Sequence, residues 1–136
     1  MPNWLLPATV TLVCWGLWGF VPKITTRYIS PTSAIVYETL GCAIMGVVTL
    51  VFLGFRPDTD IRGAGLAVST GILGMVGALG FLYAVKLGKV SVVAMFTALS
   101  PVVTVLLGVL LLKEALTVKE VLGMVCALTS IYLFTS

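Results

Sequence analysis

Five side chains in the first ninety residues have types and spacings that could do chemistry on a solute. Glu38 is the one carboxylate in "AIVYETLGCAIM", residues 34–45, a stretch that is otherwise apolar or uncharged. Trp15 and Trp18 stand three apart, so a helix would put them on one face. Tyr37 adjoins Glu38 in sequence but lies about 100° round a helix from it, and Tyr83 lies further along. A carboxylate in a low-dielectric setting is a candidate to exchange protons or to meet a cation. Aromatic faces attract organic cations, most strongly when desolvated. Lys23 offers a competing account. If the first helix runs to about residue 29, Lys23 comes to a depth similar to that of Glu38, and an ion pair would merely tie two helices together. Both readings stay open on the sequence alone.

These residues need elements to hold them, and the composition says which kind. The 136 residues are 60% hydrophobic and only 10% charged. A soluble domain carries about 25% charge, so too little polar surface exists here to face water. Residues 1–22, 63–85 and 90–112 carry no charged side chain, and 32–55 carries only Glu38. Each run can cross a hydrocarbon layer, which takes about 20 helical residues. Residues 121–136 look short, but "TVKE" ahead of them reads as a capping box, with Thr117 as N-cap and Glu120 reaching back. The expectation is an all-α integral membrane protein, a single domain of five transmembrane helices near 4–29, 32–54, 63–85, 90–112 and 117–135. The runs do not alternate as barrel strands would.

The same inventory excludes other classes. The first segment lacks a basic leader and a small-residue cleavage site, so it reads as a membrane helix rather than a signal peptide. Cys14, Cys42 and Cys126 all sit in apolar runs and do not form a disulfide framework. With no histidine and five carboxylates, neither a metal site nor a Ser-His-Asp machine is expected. No cofactor, no enzymatic activity and no nucleic-acid partner are expected.

Short connections, "SPT", "FRPDTDIRG", "KLGK" and "KEALTVK", make neighbouring helices antiparallel. Counted by side, the first and third hold Lys23, Arg27, Lys86 and Lys89, and the second and fourth hold Arg56, Arg62, Lys113 and Lys119. Orientation follows the Lys/Arg bias, and this chain has none. Either helix context alone sets the orientation, or copies insert both ways and pair antiparallel. Gly71, Gly74, Gly77 and Gly80 recur every three residues along the third helix, a groove where another helix can approach closely or a point of flexibility. Gly123 with Ala127, and Cys42 with Gly46, have small-xxx-small spacing. Pro22 and Pro101 are expected to kink the first and fourth helices.

"WGLWGFVPK", "ISP", "LYAVKLGKVSVVAMFTALSPVVTVLLGVLLLKEALT" and "GMVCALTSIYLF" together resemble one five-helix repeat of the EamA type, in the drug/metabolite transporter superfamily. The resemblance covers almost the whole chain and is most specific over residues 99–116. Most members of the family carry two such repeats, the second inverted. The resemblance therefore implies a half-size transporter that completes itself by dimerising, in a lipid bilayer, with a small molecule as cargo. Prokaryotic inner membrane, multi-pass, is the implied location. One departure stands out: where typical members have an arginine seven residues after the "SP" proline, this chain has Glu38. That reversal resembles the use of a membrane glutamate by small multidrug resistance proteins, as a functional analogy. Glu38, with Trp15, Trp18, Tyr37 and Tyr83, would then bind a cationic solute or a proton. The rival expectations are an amino-acid or neutral-metabolite exporter with Glu38 paired to Lys23, and a non-transporting membrane subunit of a larger complex.

Overall fold

The computed structural model describes residues 4–135, and every element among them is a helix. They are α1 Leu5–Tyr28, α2 Pro31–Phe52, α3 Ile61–Leu87, α4 Val90–Thr97, α5 Ser100–Leu112 and α6 Val118–Thr135. Four stretches are long and apolar enough to cross a membrane: Leu5–Tyr28, Pro31–Phe52, Ile61–Leu87 and Val90–Leu112. Four of the five expected spans, 4–29, 32–54, 63–85 and 90–112, lie over these stretches to within about two residues, and the fifth, 117–135, lies over α6. The protein is an all-α, multi-pass integral membrane protein. Ser136 and residues 1–3 lie outside the described residues.

Local chemistry explains where helices begin. Ser30 is in an extended conformation and its hydroxyl accepts from the Ser33 N–H at 3.2 Å, while Pro31 fills the first helical position, where no N–H is needed. Asp60 does the same for α3, its carboxylate accepting from the Gly63 N–H at 2.8 Å. The capping box at 117–120 forms as expected. Glu120 accepts from the Thr117 N–H at 2.7 Å, and the Glu120 N–H donates to the Thr117 hydroxyl at 3.4 Å. α2 ends in a left-handed turn at Gly54 and Phe55, and α5 ends at Lys113 with φ 56°.

The two prolines behave differently. α1 runs unbroken through the buried Pro22. The expected kink at Pro101 is instead a full interruption. α4 stops at Thr97, turns at 98–99, and α5 starts at Ser100. Pro101 has no N–H for the carbonyl four residues back, and its ring crowds that carbonyl, so the helix cannot pass straight through.

The chain divides into two compact units at the Leu87–Gly88 junction. In the first, α3 packs against both α1 and α2. Its buried residues are Pro22 of α1, Pro31 and Ala34 of α2, and Ala78, Phe81, Leu82 and Val85 of α3. All lie near the end of the cluster where α1 joins α2. In the second unit, α4 packs on α6, which buries Ile131.

Candidate functional site

Three side-chain contacts fix the register of the first unit. The Thr39 hydroxyl donates to the Met75 sulfur at 3.4 Å, Trp18 and Phe81 stack with ring centroids 5.3 Å apart, and Lys23 Nζ donates to the Val85 carbonyl. The second and third advance together along α1 and α3, so these helices run parallel. The first places Thr39 of α2, and with it Glu38, at the Met75 level of α3. Met75 and Val85 are ten residues apart on α3, or ~15 Å at 1.5 Å per residue.

Lys23 is taken up by α3, its ammonium donating to the Val85 carbonyl. It lies five residues before the end of α1, and Glu38 lies seven residues after the start of α2, so the two stand ~8 and ~11 Å from the turn that joins these antiparallel helices.

Glu38 follows Ala34 by one turn on the face that α2 turns inward, and Ala34 is 1% exposed. The carboxylate is half-buried. Its Oε2 is a buried atom with no hydrogen-bond partner, the single such side-chain atom among the described residues. Buried polar atoms are nearly always paired, so each exception needs an explanation.

The aromatic candidates divide. Trp15 is 73% exposed. Trp18, one turn nearer the Lys23 end, has its ring already engaged by Phe81. Tyr37 and Tyr83 do not join them. Tyr37 projects from a different face of α2 and is exposed, and Tyr83 lies on α3 about 12 Å beyond the Met75 level. Phe81 was not anticipated, because nothing in an apolar run distinguishes the phenylalanine that will meet a tryptophan.

The glycine stripe is bare. A Cβ placed on Gly71, Gly74, Gly77 or Gly80 would meet nothing within 4 Å. Within the first unit, neither α1 nor α2 covers this stripe. Pro101 marks the α4–α5 interruption. Within the second unit, Thr104, Leu107, Gly108, Leu111, Leu112 and Glu114 line a cleft of about 350 Å³. There the Glu114 carboxylate folds back over Gly108, so close that a Cβ on Gly108 would sit 2.8 Å from it. The three cysteines are free and exposed. Among the described residues no cluster of His, Cys, Asp or Glu could hold a metal ion.

Comparison with known proteins gives consistent findings. The model of the EamA-like transporter family matches residues 3–136. An uncharacterized protein of Methanocaldococcus jannaschii, MJ1333.1, is 27% identical over 135 residues, covering 99% of this chain and 98% of that protein. The uncharacterized transporter YyaM of Bacillus subtilis is 32% identical over 115 residues, which is 82% of this chain but only 37% of YyaM. No solved structure gives a significant match.

Proposed function

The chain belongs to the EamA-like transporter family, and from that premise we propose that two copies form one alternating-access carrier, with Glu38 as its solute- or proton-binding carboxylate. The observation that carries this reading is the buried, unpartnered Oε2 of Glu38. A carboxylate kept in a membrane helix without a partner costs several kcal/mol unless something else meets it. A proton or a cationic group of a solute answers that need. Trp15, largely uncovered, would supply an aromatic face for an organic cation.

Two further observations support a second copy. The glycine stripe of α3 offers backbone-close contact that neither α1 nor α2 uses. YyaM is more than twice as long as the stretch it shares with this chain, so a second copy would supply what a longer chain carries in itself. The balanced Lys/Arg count favours copies of opposite orientation, which would place two Glu38 carboxylates about a pseudo-two-fold axis in the membrane plane. Exchange of a cationic metabolite or drug-like solute for protons is the expected reaction, in the cytoplasmic membrane of a prokaryote. It involves no covalent chemistry.

Glu38→Gln tests this directly, since it preserves shape and cannot ionise. The variant should fold, keep its dimer, and lose both cation binding and the pH dependence of transport in proteoliposomes. If Glu38 were instead a structural tie to Lys23, Glu38→Gln would lower the melting temperature and Lys23→Met would restore it. A stable variant that transports with an unchanged pH profile overturns the proposal.

A further inference from the structure

The interruption of the fourth span releases more backbone than its proline requires. A proline inside a helix frees one carbonyl, four residues back, here that of Thr97. Two more are released. The Leu99 N–H donates to the Phe96 carbonyl at 3.2 Å rather than to Met95, and the Val102 N–H donates to the Leu99 carbonyl at 2.9 Å rather than to Ala98. The carbonyls of Met95, Thr97 and Ala98 thus take no backbone hydrogen bond among the described residues. The Thr97 hydroxyl does not repair this, because it donates to the Val93 and Ala94 carbonyls.

These oxygens lie well inside the hydrocarbon. Ala98 is eight residues into the 23-residue stretch Val90–Leu112, or ~12 Å along it. Irregular backbone with free polar groups is not tolerated against lipid, only against protein or a water-filled path. The stretch has no Lys or Arg of its own to neutralise them.

We infer that the α4–α5 break is a binding element in its own right, in which the carbonyl oxygens of Met95, Thr97 and Ala98 receive a small monovalent cation or the protonated amine of a solute. Unwound carbonyls at the end of a half-helix suit either, because both are compact positive charges that accept oxygen ligands or donate hydrogen bonds. The element stands on the backbone of α4 and α5 and does not depend on Glu38.

The test reads the carbonyls themselves. Full-length protein in lipid nanodiscs, labelled with carbonyl-¹³C alanine, gives an infrared amide band for Ala98 that is identified by its loss in Ala98→Ser. Sodium chloride and ethylammonium chloride are titrated separately, with choline chloride holding ionic strength constant. The Ala98 band should shift saturably with at least one of them. A shift with sodium alone assigns a coupling ion, and a shift with ethylammonium alone assigns the amine of a solute. Pro101→Ala, which restores an N–H for Thr97 and lets the helix close, should weaken the response roughly tenfold or more, the loss expected when charge-assisted hydrogen bonds are removed. Glu38→Gln should retain the response, so failure here and failure of the Glu38 proposal are separate results. The inference is overturned if neither salt moves the band, or if Pro101→Ala responds at the same concentrations as the wild type. Should Pro101→Ala fail to fold, the wild-type titration alone decides.

Discussion

The two halves of α3 are almost equally apolar and are treated oppositely by the fold. In its C-terminal part Ala78, Phe81, Leu82 and Val85 are buried, with Leu82 and Val85 at 0% exposure. Towards its middle Ile72 and Leu73 stand open, and Gly71 and Gly74 meet nothing. Gly80 shows that the division is also one of faces, since it is bare although Phe81 beside it is covered. In lipid, hydrophobicity alone cannot press helices together, because the tails are as apolar as leucine. What closes the covered end is shape: small Ala34 and Ala78 admit close approach, Trp18 meets Phe81, and Lys23 clasps the Val85 carbonyl. The bare face has small residues and no such contacts. The difference teaches that, within one unit, a membrane helix can be closely packed on one face and left uncovered on another.

The largest effect should come from the covered end. Leu82→Ala removes a fully buried side chain from the contact of α3 with its neighbours, and should cost ~2–5 kcal/mol, read as a lowered midpoint of unfolding in detergent. If Leu82→Ala is as stable as the wild type, that end is not what holds the first unit together.

The bare stripe should respond in the opposite sense. Gly77→Leu meets open space, so the protomer should keep its helical content and its own melting behaviour. Association should weaken by ~1 kcal/mol or more, read by crosslinking or by analytical ultracentrifugation in detergent. A Gly77→Leu protein that dimerises and transports like the wild type would remove the stripe from the interface and leave it as uncovered lipid-facing surface.

The finest distinction concerns the orientation of the partner that would cover the stripe. With four basic residues on each side, reporters fused after Ser136 should be active on both sides of the membrane. Adding two or three lysines to one set of loops should collect the population on one side. A wild-type protein with its C-terminus on one side only would exclude an antiparallel pair while leaving a parallel pair possible.

The site was only partly legible in the sequence, for reasons that particular residues make plain. Glu38 could be singled out because a charge in an apolar run is visible without a fold. Its relation to Lys23 could not be read that way. Both lie near the α1–α2 turn in sequence, but nothing in the sequence shows that the Lys23 ammonium is taken up by the Val85 carbonyl of a third helix. The three-residue spacing puts Trp15 and Trp18 on one side of α1, but that Trp18 is engaged depends on a phenylalanine from another helix. Pro101 announced a disturbance. Its size depends on how Leu99 and Val102 redirect their N–H groups, which composition does not encode.

What the sequence by itself determined is the class of the protein and the extent of its elements. The uncharged runs and the caps at Ser30 and Thr117 leave helices across a membrane as the arrangement that satisfies the backbone. These are local properties, set by residues within a turn or two of one another. The tertiary structure decided which faces are covered, which carboxylate oxygen is left without a partner, and which backbone carbonyls stay free. Those outcomes depend on the relative depth and rotation of helices that are distant in sequence, and in lipid that choice is made by shape and hydrogen bonding, to which hydropathy is blind.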